Sequence, residues 1–333
     1  MAKKPLTVLL LAGGDSAERD VSLDSSRGMA RAAVEAGHRV FVADPARPDI
    51  EPAEDWTRVF GDAKIGALPP DVVGTDYIAR MKFVGKMAAS GNDQFDIVLN
   101  GLHGGAGEDG TIQAILAFIG VSYTGSGAGA CALAMDKHRS KHVARSVGVP
   151  VAKDVLLSRS VAAAGAFERA VLDNLSLPVV VKPNNQGSSV GLTVVTSVDE
   201  LEPAARRAFA LDDYVLVEEY IAGREITAAI LEGTNLPLLE IKPLSGLYDY
   251  YHKYQSGASE YLVPAPLDDP VADAIAASAK RAFETLGCRV YGRVDFRLGD
   301  DGQHYFLEAN TYPGMTSTSL VPVSYTHLTL PTN

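Results

Sequence analysis

Short apolar runs alternate with longer amphipathic stretches over the first third of the chain. Residues 6–11 form a continuous apolar run that ends in two glycines, and helical periodicity follows from about Ser22 to Ala36. The same pattern predicts strands at 38–43, 96–99 and 121–124 and a helix at 111–119. Regular alternation of strands and helices predicts a parallel α/β unit, whose ligands bind at the carboxyl ends of the strands.

Strands become more frequent than helices after about residue 125. The pattern predicts helices at 137–146 and 271–286 and strands at 178–182, 192–195, 215–221, 223–232 and 236–242. Two segments lack periodicity: residues 44–75, interpreted as an irregular insertion, and the Gly-, Tyr- and Ser-rich residues 245–260. A loop as long as the second is usually functional or disordered, and its tyrosines favour a lid that excludes water from a ligand.

Two further strands carry the most informative chemistry. Residues 290–296 and 304–310 flank a cluster of turn residues, which predicts a β-hairpin that brings Asp295 close to Glu308 and Asn310. Because Glu308 and Asn310 are two residues apart, they share one face of their strand. Three oxygen ligands on one face favour a hard cation such as Mg²⁺, which proteins often bind together with substrate phosphates. The hairpin therefore predicts an enzyme that acts on nucleotide phosphates.

The composition is that of a soluble globular protein with two or three domains. The 333 residues are 47% apolar and 21% charged, and the net charge of −11 argues against a nucleic-acid-binding protein. An apolar run near the N-terminus is too short to span a bilayer and lacks a cleavage site, so we expect a cytoplasmic protein without a membrane partner. Cys131 and Cys288 have no His or Cys at metal-ligand spacing and are predicted to be buried free thiols.

A glycine- and serine-rich loop follows the strand that ends in Lys182. Its sequence, Pro-Asn-Asn-Gln-Gly-Ser-Ser-Val-Gly at 183–191, allows backbone N–H groups to approach a phosphate. Such a loop alone is more often a hairpin turn, but the lysine at the strand end favours the phosphate interpretation. The acidic residues that end the strand from 215 have two interpretations as well. Either they are charged residues exposed at the surface, or they bind the adenine amino group and the ribose of a nucleotide.

Two loops at predicted strand ends carry further polar candidates. His103 lies among glycines in Leu-His-Gly-Gly-Ala-Gly-Glu-Asp-Gly (102–110), where a structural and a functional role are about equally expected. Glu18 follows the first strand, in a segment that is either functional or simply the loop before a helix capped by Ser22. The chain has no Gly-x-Ser-x-Gly elbow, so a Ser-His-Asp hydrolase finds no support.

Together these motifs resemble the D-alanine–D-alanine ligases, enzymes of the ATP-grasp superfamily. The resemblance covers about residues 6–321 apart from 44–95. It rests on Ala-Gly-Gly-Asp-Ser-Ala-Glu-Arg-Asp-Val-Ser (12–22), His-Gly-Gly-Ala-Gly-Glu-Asp-Gly (103–110), Met-Asp-Lys (135–137), Val-Lys-Pro-Asn-Asn-Gln-Gly-Ser-Ser-Val-Gly (181–191) and Glu-Ala-Asn-Thr-Tyr-Pro-Gly-Met-Thr-Ser-Thr-Ser-Leu (308–320).

The resemblance implies an α/β ATP-grasp fold with three α/β domains. They would be an N-terminal parallel, Rossmann-like domain at 1–125, a central ATP-grasp domain at 126–222 and a C-terminal ATP-grasp domain with the metal site at 223–322. Residues 323–333 are polar, show no helical period and are expected to be a non-native tail outside the fold.

The resemblance also implies roles for individual residues. Lys137, Lys182, Lys253 and the loop Gly187–Ser188–Ser189 would contact the ATP phosphates. Glu218 and the Ile221 backbone would contact the adenine, and Glu225 would contact the ribose. Two Mg²⁺ ions, with Mn²⁺ as an alternative, would bind Asp295, Glu308 and Asn310. The remaining roles concern the amino acids. Glu18 would bind the ammonium group of the first D-alanine, His103 would lie near its carboxylate, and Ser188 and Tyr254 would form hydrogen bonds with Glu18 that hold the lid closed. Arg293 and the Gly314 amide would stabilise the oxyanion, and Ser319 and the Leu320 amide would bind the carboxylate of the second substrate.

The implied reaction joins two D-alanines through an acyl phosphate made with ATP, for peptidoglycan precursors, in a homodimer. Tyr254 stands where the relatives that use D-lactate carry His, which favours D-alanine as second substrate. Tyr312 stands where Ser is frequent in the family, and Glu219 where Lys is common. Two alternatives stay open: another ATP-grasp carboxylate–amine or carboxylate–alcohol ligase, and a truncated, inactive nucleotide-binding remnant.

Overall fold

Three β-sheets follow one another along the chain. The computed structural model describes residues 4–326 apart from 63, 67, 69–75, 164, 245–251, 254, 256 and 317. The strands are β1 (Thr7–Leu11), β2 (Arg39–Ala43), β3 (Ile97–Asn100), β4 (Asp154–Ser158), β5 (Val179–Pro183), β6 (Thr193–Val195), β7 (Tyr214–Glu219), β8 (Gly223–Leu231), β9 (Thr234–Asn235), β10 (Leu239–Pro243), β11 (Ser259–Leu262), β12 (Tyr291–Gly299) and β13 (His304–Asn310). The helices are α1 (Arg19–Glu35), α2 (Thr57–Phe60), α3 (Tyr77–Gln94), α4 (Thr111–Phe118), α5 (Ala128–Met135), α6 (Lys137–Ser146), α7 (Arg159–Ala163), α8 (Phe167–Leu172), α9 (Leu201–Phe209), α10 (Asp269–Thr285) and α11 (Leu320–Thr326).

The first sheet is parallel throughout, in the order β2-β1-β3, as the alternating pattern predicts. Strand β1 is apolar from Val8 to Leu11 because both of its faces are covered. Leu9 and Leu11 belong to one core, whereas Val8 and Leu10 belong to the core on the other side. Burial on both faces is the property that turns a parallel strand into a continuous apolar run.

Helix α1 begins at Arg19, earlier than the predicted start at Ser22. The Ser22 hydroxyl does not cap this helix. It accepts from the Gly13 N–H at 2.9 Å and donates to the Gly101 carbonyl at 2.7 Å. Ser22 therefore ties the loop after β1 to the loop after β3, and the predicted capping role is wrong.

Three smaller expectations need correction. The predicted strand at 121–124 consists of one parallel bridge between Val98 and Tyr123. The insertion at 44–75 contains the short helix α2, whose Phe60 is buried. The tail expected from residue 323 is helical as far as residue 326, because Leu320 and Val323 pack in one apolar cluster with β10 and hold this turn in place.

The second sheet is antiparallel, in the order β4-β7-β5-β6. Helices α8 and α9 cover one face, where Phe167 and Leu201 join Val179, Val181 and Val217 in a single core. Strands β5 and β6 are consecutive and paired, so the Gly- and Ser-rich residues between them form the connection of a hairpin. That connection lies at the end of β5 where Lys182 emerges.

The third sheet is also antiparallel, in the order β11-β10-β8-β12-β13 with β9 beside β8. Helix α10 packs on it, and so do α5 and α6, whose Ala134 and Ala144 share a core with Ile226, Phe283 and Phe296. These two helices precede the second sheet in sequence but contribute to the core of the third. The domain boundaries expected at 125 and 222 stay predictions.

Two properties of the described residues concern the environment of the chain. No helix among them has both the length and the apolar composition needed to cross a bilayer. Cys131 and Cys288 are buried free thiols, as predicted. Burial raises the pKa of Cys131 to about 11 and that of Cys288 to about 12, so both stay protonated and unreactive at neutral pH.

Candidate active site

The hairpin β12–β13 places its polar residues as the sequence predicts. Asp295 lies directly opposite Glu308, and Arg293 lies opposite Asn310. The Asn310 amide donates to Asp295 Oδ2 at 3.1 Å, which leaves the amide oxygen available as a ligand. Thr227 on β8, which the sequence prediction missed, donates to Asp295 Oδ1 at 2.8 Å. This hydroxyl fixes the carboxylate of Asp295 on the sheet face.

Cations surround these carboxylates. Lys137 Nζ lies 3.3 Å from Glu308, and Arg293 Nε lies 3.1 Å from Asp295. Burial raises the pKa of Glu308, but the nearby Lys137, Lys253 and Arg293 outweigh burial and hold that pKa well below its usual range. Glu308 is therefore ionised, as a metal ligand must be.

The donor set fits Mg²⁺ better than a metal that prefers nitrogen or sulfur. The described residues contain no cluster of three or more His, Cys, Asp or Glu side chains suited to a metal ion. The hairpin instead offers two carboxylates and an amide oxygen. Magnesium is usually held by one or two carboxylates together with water and substrate phosphates, so this small set is sufficient.

A cavity of about 460 Å³ lies between the second and third sheets. Its lining brings together most of the predicted nucleotide residues: Lys137, Lys182, Ser189, Glu218, Ile221, Glu225, Lys253, Asp295 and Glu308. Val180, Leu192 and Leu307 also line the cavity and supply apolar surface. One cavity therefore combines apolar contacts suited to a base, ammonium groups suited to phosphates, and the hairpin carboxylates Asp295 and Glu308.

Glu218 is buried at the centre of a lysine cluster. Its carboxylate accepts from Lys182 Nζ at 2.5 Å and from Lys141 Nζ at 2.7 Å. Burial raises the pKa of Glu218, but the two ammonium groups outweigh burial and lower it to about 2. Glu218 therefore holds the Lys182 ammonium in the cavity, while its predicted contact with adenine stays a prediction.

Lys141 was not among the predicted site residues, although it is completely buried. It lies 3.4 Å from Asp154 on β4 in addition to its contact with Glu218. The only signal in the sequence is its spacing, because Lys141 is one helical turn after Lys137 on α6. That spacing places both ammonium groups on one side of the helix.

Glu225 and Ile221 lie together at one wall of the cavity. Burial raises the pKa of Glu225 to about 7, opposed by Lys253 and supported by the charge of Asp295. Arg297 lies 3.5 Å from Glu225 and donates to the Ile221 carbonyl at 3.0 Å. A carboxyl group that titrates near neutrality can donate or accept a hydrogen bond, which suits the predicted contact with ribose hydroxyls.

A second, smaller cavity of about 50 Å³ adjoins the first. Its lining gathers residues predicted for the amino acids, namely Glu18, His103, Ser188, Arg293, Gly314, Ser319 and Leu320. Gly187 and Lys253 from the predicted phosphate set and Asn310 from the predicted metal set line it as well. Lys253 and Arg293 line both cavities. Among the predicted site residues, only Tyr254 lies outside the part of the chain that the structure describes.

Glu18 joins the first sheet to the loop after β5. The Ser188 hydroxyl donates to Glu18 Oε1. Ser188 and Ser189 both adopt left-handed backbone conformations, with φ of 51° and 57°, which cost energy in residues other than glycine. A Cβ atom at Gly104 or at Gly187 would lie 2.7 Å from Glu18 Oε2, so the carboxylate fits only between two glycines. The predicted Ser188–Glu18 contact is present.

Both ring nitrogens of His103 have protein partners. Nε2 lies 3.0 Å from the Ser25 hydroxyl, and Nδ1 lies 3.1 Å from the Tyr312 carbonyl and 3.2 Å from Glu108. Burial raises the pKa of Glu108. His103 therefore positions the segment that leads to Gly314, and its contact with a substrate carboxylate stays a prediction.

The end of the small cavity is ordered by hydroxyl groups. The Ser319 hydroxyl accepts from the Thr316 N–H at 3.0 Å and lies 2.8 Å from the Thr316 hydroxyl. Ser25 accepts from the Met315 N–H at 3.1 Å. A Cβ atom at Gly314 would approach Ser319 Oγ to 2.9 Å, so only glycine fits there without displacing the serine.

Sequence comparisons match almost the whole chain to one family. The family model for the D-ala D-ala ligase N-terminus matches residues 7–126, and that for the D-ala D-ala ligase C-terminus matches residues 143–330. The D-alanine–D-alanine ligase of Halalkalibacterium halodurans is 39% identical over 322 residues, which cover 95% of this chain and 92% of that protein. The enzyme of the same name from Bordetella petrii is 39% identical over 320 residues, covering 95% of this chain and 85% of that protein.

Solved structures of related ligases share the fold. The VanG D-Ala:D-Ser ligase from Enterococcus faecalis has a TM-score of 0.78 and 28% identity, covering 98% of this chain and 96% of that one. The D-alanine–D-alanine ligase from Bacillus anthracis complexed with ATP has a TM-score of 0.73 and 28% identity, covering 97% of this chain and 92% of that one.

Proposed function

We propose that this chain, which belongs to the D-alanine–D-alanine ligase family and is a ligase with the ATP-grasp fold, joins two D-alanine molecules at the expense of ATP. The reaction proceeds through an acyl phosphate and supplies a dipeptide for peptidoglycan precursors. One observation carries this proposal. The cavity suited to a nucleotide meets a small polar cavity, and Arg293 and Lys253 line both.

The distribution of charge gives the first D-alanine an orientation. Glu18 offers a carboxylate to its ammonium group, and Ser188 holds that carboxylate in place. Arg293 lies on the side of the small cavity that faces the nucleotide, where it attracts the substrate carboxylate. The carboxylate of D-alanine then points toward the γ-phosphate of ATP.

Phosphoryl transfer needs positioning and compensation of negative charge more than covalent help from the protein. Lys137, Lys182 and Lys253 provide three ammonium groups in the nucleotide cavity. A carboxylate oxygen of D-alanine attacks the γ-phosphorus, the bond to ADP breaks, and the acyl phosphate forms. Mg²⁺ held by Asp295, Glu308 and Asn310 would offset further charge on the phosphates.

The second D-alanine attacks with its amino group. Negative charge grows on the carbonyl oxygen, where the Arg293 guanidinium and the Gly314 N–H stabilise it. Inorganic phosphate leaves as the C–O bond breaks, and the amine gives its extra proton to solvent or phosphate. Ser319 and the Leu320 N–H receive the carboxylate of the second substrate at the far end of the small cavity.

The test is phosphate release by the purified chain with ATP and Mg²⁺. D-alanine, L-alanine, and D-alanine with either D-lactate or D-serine are compared, and each product is identified by mass spectrometry. We expect release that depends on D-alanine and yields the dipeptide. A preference for D-serine or D-lactate at neutral pH would replace the proposed second substrate, and ATP binding without release would favour the inactive remnant. A homodimer stays a prediction from the family, and a cytoplasmic location stays a prediction from the sequence.

A further inference from the structure

Helix α6 carries two histidines that the proposed reaction does not use. His138 and His142 are one helical turn apart, in His-Arg-Ser-Lys-His, beside the stripe formed by Lys137 and Lys141. Their rings meet edge to face, and the two Nε2 atoms lie 3.1 Å apart. The His138 side chain is 24% exposed and His142 is exposed, so ions in solvent reach the pair.

The partners of the two Nδ1 atoms determine which nitrogen of each imidazole ring carries the proton. His138 Nδ1 lies 2.7 Å from Asp154 Oδ2, and because a carboxylate only accepts, Nδ1 carries the proton and Nε2 a lone pair. Arg145 Nη1 lies 3.3 Å from His142 Nδ1, and because a guanidinium only donates, the Nε2 of His142 carries the proton. One proton therefore lies between the two Nε2 atoms.

The spacing of these atoms is that of two ligands on one metal ion. Nitrogens at about 2.0–2.1 Å from a tetrahedral zinc ion lie about 3.3–3.4 Å apart, and right-angle coordination shortens this separation to about 2.9 Å. The observed 3.1 Å falls between these values. Histidines at positions i and i+4 of a helix bind zinc together in other proteins, and a carboxylate on the second ring nitrogen orients such a ligand as Asp154 orients His138.

We propose that His138 and His142 form a chelating site for a late first-row divalent cation such as Ni²⁺ or Zn²⁺, with Asp154 as the group that orients His138. The cation takes the place of the proton on His142 Nε2, and this proton moves to His142 Nδ1, so the ring stays neutral.

The site has two protein ligands. No third His, Cys, Asp or Glu completes a metal cluster in the part of the chain that the structure describes, so water fills the other positions. The residues between the histidines are Arg139, Ser140 and Lys141, which include no carboxylate to act as a general base. We therefore assign binding and no hydrolytic chemistry to this pair.

The experiment is calorimetric titration of the untagged full chain with Ni²⁺ near neutral pH. We expect one saturable site, and we expect His142→Ala and His138→Ala each to lower the affinity about tenfold or more. The matched control is His38→Gln, which removes a histidine far from α6 and keeps an acceptor for the Leu6 N–H. Equal affinity in wild type and His142→Ala, or an equal loss in His38→Gln, would overturn the proposal.

The Ni²⁺ affinity of Arg145→Ala distinguishes a metal site from a histidine pair with a purely structural role. If Nε2 of His142 binds the cation, its Nδ1 needs a proton and Arg145 must release it. We therefore expect Arg145→Ala to raise the Ni²⁺ affinity, whereas a loss of affinity would contradict the assigned geometry. His142 is exposed, so His142→Ala is expected to melt like wild type without Ni²⁺ and to lose only the Ni²⁺-induced rise in melting temperature. The outcome does not depend on the proposed ligase reaction.

Discussion

The two adjoining cavities are built in different ways. The nucleotide cavity, about 460 Å³, takes most of its lining from paired strands of two antiparallel sheets, such as Val180 on β5 and Asp295 on β12. The small cavity proposed for the amino acids, about 50 Å³, is lined mainly by loop residues such as His103, Ser188 and Gly314, which come from all three parts of the fold. Strand pairing alone positions the first set, whereas the second set exists only when the loops meet.

The difference indicates that the nucleotide and the amino acids depend on different parts of the fold: the first on the sheets, the second on contacts between loops. Hydrogen bonds of the sheets hold the nucleotide cavity whether or not the loops close. The amino-acid cavity depends on single side-chain contacts, above all the one between Ser188 and Glu18. A change to a buried strand residue is therefore expected to affect folding, and a change to a loop contact is expected to affect the amino acids first.

The largest effect is expected for Glu218→Gln, which removes the anion under the nucleotide cavity. Lys141 and Lys182 would lose their shared partner while they stay buried, which costs about 3–5 kcal/mol in the free energy of unfolding. Chemical denaturation measures this loss. Glu219→Gln is the matched control, because its side chain is exposed and its loss is expected to change stability little.

The stability difference between wild type and Glu218→Gln is expected to depend on pH. The pKa of Glu218 in the folded protein, about 2, lies below its ordinary value of 4.5, so its ionised form stabilises the fold. This stabilisation is complete above about pH 4.5 and is lost as the pH falls toward about 2. The difference in unfolding free energy between wild type and Glu218→Gln is therefore expected to shrink over that range. A difference that grew with acidity would refute the assignment.

Arg293→Ala is expected to break the junction of the two cavities. Loss of one oxyanion donor costs about 10²–10³ in turnover, with little change in ATP binding. Steady-state kinetics and ATP titration measure the two effects separately. Arg297→Ala is the control, because Arg297 lines only the nucleotide cavity of the two and contacts Ile221 and Glu225. Arg297→Ala is expected to weaken ATP binding more than it lowers turnover at saturating ATP. Near-normal turnover in Arg293→Ala would contradict the proposed mechanism.

Ser188→Ala is expected to loosen the small cavity alone. A hydrogen bond to a charged group contributes about 1.5–3 kcal/mol, so the KM for the first D-alanine should rise about 10- to 100-fold while ATP affinity changes little. Ser189→Ala is matched in backbone conformation, since both serines are left-handed, but Ser189 lines the nucleotide cavity. A similar rise in KM in both variants would mean that loop strain, and not the contact with Glu18, controls the site.

Tyr312→Phe is expected to have the smallest effect. Tyr312 lines the small cavity, but its hydroxyl donates to the Thr124 carbonyl at 2.7 Å and lies 3.1 Å from the Ser126 carbonyl, and neither Thr124 nor Ser126 lines either cavity. Its loss should lower the free energy of unfolding by about 1 kcal/mol and leave turnover unchanged, because the Tyr312 carbonyl still accepts from His103. Thermal unfolding and steady-state kinetics check both parts. A large loss of activity would show that the hydroxyl controls the amino-acid cavity.

Local pattern was sufficient for much of the fold and for the chemistry of the site. The hairpin that pairs Asp295 with Glu308 was predictable because its strands are adjacent in sequence and each alternates with a period of two. The first strand was predictable because burial on both faces requires a continuous apolar run. Both signals lie within a few residues, and they also identified Lys182 and Glu18 as candidates.

The sequence by itself therefore determined the local elements and the chemical groups available for a ligase, and the tertiary structure decided which of these groups meet. Ser188 reaches Glu18 across 170 residues of sequence, and Lys141 reaches Glu218 across 77. Helices α5 and α6 join the core of the third sheet although the second sheet follows them in the chain. These contacts depend on how three sheets pack against one another, and a periodicity of two or 3.6 residues carries no information over such distances.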